Sequence, residues 1–301
     1  MIKKIPVPMA GLMLGLAALG NLLQSYSEAV RLLCGAISTV LGILILCKCL
    51  LHFDMVKEDM KNPAVASVSG TFSMAVILLS AYAKPFIGGS AVYIWYLGIG
   101  LHILIMVYFT IRFICKLNMK TVFASYYIVY VGIVAASVTS PAFGQTGLGL
   151  GIFWFGLVCC LILLALVTTR YVKHKEIPEP ARPLFCIYTA PVSLCLAGYL
   201  QSAEVKSPAM VLSLMILASV LYLTVLVQLP KFLALPFYPS YSAFTFPVVI
   251  SAIALKMSAG FLGKAGYNIG FLPVLVTVET VIAVCLVAYV FIRYMKFLFS
   301  R

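Results

Sequence analysis

Residues 121–140, TVFASYYIVYVGIVAASVTS, and residues 148–170, LGLGIFWFGLVCCLILLALVTTR, decide the fold. Neither run carries a charge before Arg170. A helix crossing a bilayer needs about 20 such residues. The seven residues PAFGQTG (141–147) join the two runs, and so short a connection makes them antiparallel neighbours. Working outward, the chain reads as ten apolar stretches, at 7–23, 30–51, 66–83, 89–114, 121–140, 148–170, 184–201, 208–229, 240–260 and 271–298. Composition agrees: 63% of the 301 residues are hydrophobic and 10% are charged. Soluble domains have about 45–50% and about 25%. That balance excludes a soluble globular domain, a disordered chain and an outer-membrane barrel of alternating strands. Ten spans use about 200 residues, which leaves too little chain for a catalytic domain outside the membrane.

The net charge of +13 would suggest nucleic acid in a soluble protein. Here it reports topology. With the N-terminus on the cytoplasmic side, 16 Lys and Arg fall in inside segments and five fall outside, namely Arg31, Lys84, Lys206, Lys256 and Lys264. The positive-inside rule supports that orientation, an even number of spans and a cytoplasmic C-terminus. The first stretch resembles a signal peptide, but the repeat described next needs it as a helix.

The odd-numbered stretches carry central residues at near-constant spacing: Gly15, Ser73, Gly132, Pro191 and Pro247, separated by 58, 59, 59 and 56 positions. Taking Gly70 for the third changes two spacings to 55 and 62. The pattern predicts five copies of one helical hairpin. Two positions earlier stand Met13, Thr71, Tyr130, Thr189 and Thr245, four of them hydroxyl-bearing. Breaks inside membrane helices free backbone groups that lipid cannot satisfy. The odd helices are therefore expected inside, around a water-filled path lined by Gly15, Thr71, Ser73, Tyr130, Gly132, Thr189, Pro191, Thr245 and Pro247, with the even helices as an outer ring.

The inner set lacks a central Lys or Arg. A dicarboxylate carrier would be expected to clamp its substrate with an arginine fork. Hydroxyls, freed backbone groups and a positive field suit weak, multi-site passage of an anion. Glu279, inside the tenth stretch, is a structural carboxyl, a proton-coupling group or a residue at the membrane edge. His102 reads as a satisfied core histidine. The nine cysteines lie in or beside apolar spans and imply no disulfide framework. Gly11-xxx-Gly15 is a close-packing motif, and Tyr93, Trp95 and Tyr96 suit an interfacial belt. No metal cluster, cofactor loop or catalytic motif stands out, so neither an enzyme nor a cofactor is expected.

Three stretches, PVPMAGLMLGLAALGNLL (6–23), KNPAVASVSGTFSMAVILLS (61–80) and YPSYSAFTFPVVISAIAL (238–255), resemble the tellurite-resistance/dicarboxylate transporter family. Bacterial TehA, the fungal malate permease and the plant guard-cell slow anion channels are members. The resemblance implies an all-α membrane protein of ten helices, a homotrimer with one pore per subunit, and a phenylalanine on the ninth helix that blocks the pore. Phe246, just before Pro247, fits that position better than Phe244, and the two point about 200° apart on a helix. The first stretch departs from the family in having Met13 where relatives often carry proline. Kinase gating of the plant type is not expected, because the long tails of those channels are missing. The resulting expectation is a passive channel for small monovalent anions in the bacterial inner membrane. The alternative is a secondary transporter of C4-dicarboxylates or tellurite-like oxyanions.

Overall fold

Three long helices begin on a side chain that caps their first turn, and two of those begin with proline. Ser27 accepts from the Val30 amide, Asn62 from Ala64 and Val65, and Ser207 from Met210. Pro63 and Pro208 follow their caps, in the turn where a missing N–H is harmless. In the computed structural model, which describes residues 2–267 and 269–300, the elements are all helical. They are α1 (Met9–Leu23), α2 (Glu28–Leu51), a short α3 (Phe53–Asp59), α4 (Pro63–Ile87), α5 (Ala91–Phe109), α6 (Tyr126–Tyr130), α7 (Ala135–Thr139), α8 (Thr146–Lys173), α9 (Ala190–Ser202), α10 (Pro208–Leu233), α11 (Phe246–Lys264) and α12 (Leu272–Phe299). Runs of 3-10 helix link α6 to α7 (Gly132–Val134), lead into α9 (Glu179–Thr189) and lead into α11 (Pro239–Phe244).

Seven helical runs among the described residues are long and apolar enough to cross a membrane. That number differs from ten apolar stretches for identifiable reasons. Pro63–Ile114 is one near-continuous run that turns at Gly88, whose φ of 61° suits only glycine well. The first stretch forms a helix of 15 residues, and the fifth is divided into short turns. The first and third stretches are unbroken at Gly15 and Ser73. At the seventh and ninth, proline does not kink a continuous helix. Pro191 and Pro247 sit in the first turn of α9 and α11, where the chain passes from 3-10 to α geometry.

Burial divides the helices into two kinds. Nearly all of α1 and α9 is buried. By contrast, α2, α5, α8, α10 and α12 each expose one apolar face, carrying for example Leu33, Leu104, Ile162, Val227 and Val281. Outward apolar faces of this extent belong in hydrocarbon, and the chain is a multi-pass membrane protein. Trp95 is not part of an interfacial belt: it is fully buried, and its indole donates to Thr139 Oγ1 at 2.8 Å, while Tyr93 and Tyr96 are exposed.

The buried segments close on one another. Helix α1 packs on α4, α4 on α6 and α7, α7 on α9, α9 on α11, and α11 returns to α1. Several hydrogen bonds across these seams join residues 58 to 60 positions apart, while Tyr82 reaches the Ala17 carbonyl at an offset of 65. Ser67 meets Ser125 at 2.6 Å, 58 positions on, and Ser240 donates to the Pro180 carbonyl at 2.5 Å, 60 positions back. At the closing seam Thr245 donates to the Gly11 carbonyl at 2.9 Å and Lys256 to the Leu22 carbonyl at 3.1 Å, both at an offset of 234. That offset is four steps of 58.5.

Arg170 is fully buried at the end of α8 and donates only to backbone carbonyls. Its Nε meets Val122 at 2.9 Å, its Nη2 meets Lys120 and Glu176 at 3.0 Å each, and its Nη1 meets His174. One guanidinium thus ties together the chain on both sides of α8. Arg170→Met keeps the apolar stem and orphans four carbonyls, so it should cost at least about 3 kcal/mol. Thermal unfolding of the detergent-solubilised protein, against Lys173→Met as an exposed control, measures this.

Candidate functional site

Glycines in α1 allow the backbone before α11 to come close. A β-carbon at Gly11 would stand 2.8 Å from Ser242 Cβ, and one at Gly15 would stand 2.5 Å from Thr245 Cβ and 3.1 Å from the Phe246 amide nitrogen. Any side chain at Gly15 would push this segment away. Thr245 leaves helical geometry (φ −99°, ψ −89°), and its hydroxyl proton is shared between the Ser242 carbonyl at 2.7 Å and the Gly11 carbonyl at 2.9 Å. This locks the turn that carries Phe246.

Phe246 lines the smallest of three cavities that adjoin through shared lining residues. The middle one is a chamber of about 30 Å³. A single water needs about 10–15 Å³ on this measure, so the chamber holds about two. Its wall is almost wholly apolar: Val68 and Met74 from α4, Ile128 from α6, Leu194 from α9, and Phe246 and Pro247 from α11. Val68 also lines a cavity of about 410 Å³ at the end of the molecule formed by Pro6, Asn62, Pro178 and Tyr238. Phe246 and Leu194 also line a cavity of about 620 Å³ at the opposite end, beside Asn21, Ser25, Pro141 and Gln201. The Phe246 ring therefore stands between the central chamber and the wider cavity.

The two end cavities differ in charge. Arg31 and Lys256 line the wide one. Arg31 is mostly buried, ion-paired to Glu28 at 2.5 Å, bonded to Asn21 Oδ1 at 3.3 Å and stacked 4.4 Å from the Tyr82 ring centre. The narrower cavity carries Asp59, which is ion-paired to Lys48 at 3.2 Å, and no Lys or Arg among its described lining residues. Tyr238, at its rim, donates to Glu179 at 2.7 Å, and that carboxylate pushes the phenol pKa up.

Of the residues chosen from the sequence, Thr71, Gly132, Pro191, Phe246 and Pro247 meet at the chamber. The others face elsewhere. Gly15 is the contact just described. Ser73 bonds His102 Nδ1 at 2.8 Å, and His102 Nε2 bonds the Val129 carbonyl at 3.1 Å, which fixes the tautomer and satisfies the ring. Tyr130 pairs with the Thr110 hydroxyl at 2.7 Å, and Thr189 donates to the Cys186 carbonyl at 3.1 Å. Thr189 and Thr245 lie at 3-10 ends, where each residue turns about 120°. An alignment assuming α-helical rotation therefore misplaces their side chains. Phe244 is fully buried against Tyr241, ring centres 4.8 Å apart, and lines none of the three cavities. Glu279 is buried on α12, away from the row, with Oε2 unpartnered among the described residues. Sequence reading missed Val68, Met74 and Leu194, ordinary apolar residues with no distinguishing signal. It also placed Arg31 and Lys256 only as outside charges.

Gly15→Ala should destabilise the protein by about 1–3 kcal/mol through overpacking. Gly100→Ala meets nothing within 4 Å and should be neutral or stabilising by up to about 1 kcal/mol. Paired thermal melts check both.

The family profile described as voltage-dependent anion channel (SLAC1) matches residues 4–295. No curated protein matches the chain.

Proposed function

The chain belongs to the voltage-dependent anion channel (SLAC1) family, and from that premise we propose that it is a passive channel for small monovalent anions such as chloride and nitrate, closed by the Phe246 ring. The observation that carries this reading is the row of cavities: two wide mouths meet at a chamber of about 30 Å³, and Phe246 bounds it toward the wider mouth. In this reading the chain forms five helical hairpins and ten spans. α1, α4, α6 with α7, α9 and α11 ring the pore, and α2, α5, α8, α10 and α12 surround them. The seam bonds at offsets of 58, 60 and 234 support a repeated unit of this length.

Pore-lining roles are assigned to Thr71, Gly132, Pro191 and Pro247. Anions would pass by shedding water against an apolar wall under a positive field, since conduction needs easy exit as much as favourable binding. None of the chamber's lining residues is charged, which disfavours the clamp a C4-dicarboxylate or oxyanion carrier would use. Glu279 lies off the row, so a proton coupled through it would have no direct route to the chamber. The 16 to 5 division of basic residues supports a cytoplasmic N- and C-terminus in a bacterial inner membrane, with the Arg31 and Lys256 mouth outward. A homotrimer follows from the family resemblance.

Planar-bilayer recordings of wild type, Phe246→Ala and Phe244→Leu, in chloride and then nitrate, test the reading. Phe246→Ala should give large anion-selective currents where wild type gives little. Phe244→Leu should lose roughly 1 kcal/mol or more of stability without opening the pore. A silent Phe246→Ala protein that is folded and inserted, together with saturable, pH-dependent malate uptake lost in Glu279→Gln, would establish the carrier instead.

A further inference from the structure

The wide cavity contains a set of hydrogen-bond donors without a protein acceptor. Lys256 Nζ has three N–H groups, and two are used, on the Leu22 carbonyl at 3.1 Å and Ser25 Oγ at 2.5 Å. Ser25 accepts from Lys256, and among the described residues its own hydroxyl proton goes to no protein acceptor. Asn21 is in the same position: its Oδ1 accepts from Arg31, and its amide N–H groups donate to no described residue. Lys256, Ser25 and Asn21, each with donor hydrogens unused, line one cavity, and the amides of Gln24 and Gln201 line it with them. No carboxylate lines this cavity among the described residues. Of the acids at this end, Glu28 is committed to Arg31, and Glu204 lines a neighbouring cavity together with Lys206 and Lys264. Lys256 has no acidic partner among the described ion pairs, and its ammonium lies 4.9 Å from the Tyr26 ring centre.

Several donors and one uncompensated positive charge, in a recess of about 620 Å³, are what a small anion requires. The recess is also on the route. Phe246 and Lys256 belong to the same helix, ten residues apart, or about 15 Å along its axis. The opposite mouth offers Asp59 and no lining cation among the described residues.

We propose that Lys256, with Ser25 and Asn21, forms a capture site for a small inorganic anion at this mouth alone, which makes the pore rectify. The proposal rests on the channel reading for its role in conduction, but not for binding itself. An anion arriving from the Lys256 side would be concentrated before reaching Phe246, while one arriving from the Asp59 side would not. The asymmetry depends on charge and fades with screening.

Two measurements on the full chain test it. The first is quadrupolar chloride NMR of the detergent-solubilised protein, which needs no conduction. The excess line broadening caused by wild type should fall by at least about threefold in Lys256→Gln and persist in Lys256→Arg. Ser25→Ala with Asn21→Leu should lower it partially. Unchanged broadening in Lys256→Gln overturns the site. The second is single-channel current in the Phe246→Ala background, at about 0.01 M and about 1 M chloride, where screening lengths are about 30 Å and about 3 Å. The ratio of currents at opposite voltages should depart from one in the dilute salt and approach one in the concentrated salt. Lys256→Gln should bring it near one in both. A ratio that Lys256→Gln leaves untouched overturns the role in conduction. Silence of the Phe246→Ala background, with the broadening still lost in Lys256→Gln, would refute the occluding ring and leave the anion site standing.

Discussion

The contact between α1 and the turn before α11 is the constraint on which the rest depends. Gly11 and Gly15 let Ser242 and Thr245 approach to distances that no β-carbon permits. The Thr245 hydroxyl then bonds the Gly11 carbonyl of α1. This contact closes the seam between the first and last buried segments, and it holds Phe246 where two cavities would otherwise join. Association of helices in a bilayer draws little on the hydrophobic effect, so close packing and local hydrogen bonds carry more of it. Small residues at the seam therefore serve both stability and the position of the ring.

Broken helices inside a membrane are costly unless each freed group finds a partner. Here the partners are side chains, some local and some from across the bundle. Thr189 and Thr245 return their hydroxyls to carbonyls three residues back, and Ser67 and Ser125 meet across a seam. Arg170 serves the connections at the end of α8 in the same way, with four carbonyls in place of a carboxylate. These polar groups are consumed by the scaffold. That leaves the central chamber apolar and puts the unspent charge in one mouth.

Legibility followed the size of the signal. Apolar run length and the recurrence near 58 residues were visible because each sums over many positions. The side-chain direction of a single residue was not. Of nine residues expected to line the path, Thr71, Gly132, Pro191 and Pro247 reach the chamber, while Gly15, Ser73, Tyr130, Thr189 and Thr245 pack against helices. The glycines and prolines at the fifth, seventh and ninth breaks were found because backbone chemistry marks them. Among the hydroxyl-bearing residues Thr71 reaches the chamber, whereas Thr189 and Thr245 stand at 3-10 ends, where the phase of the helix changes. Trp95 failed for a different reason: its indole has a partner in Thr139, 44 residues away.

The amino-acid sequence alone determined that this is an all-helical membrane protein, because burying apolar length in lipid and satisfying the backbone within helices are local requirements. The family resemblance also offered Phe244 and Phe246 as two candidates for an occluding ring. Tertiary structure decided between their environments. Phe244 is enclosed by Tyr241 and its neighbours, while Phe246 borders open volume on two sides. It also decided that Arg31 and Lys256, 225 positions apart, share one cavity. The reason is physical: a cavity belongs to no single helix, and its lining is settled only when the fifth buried segment returns to the first.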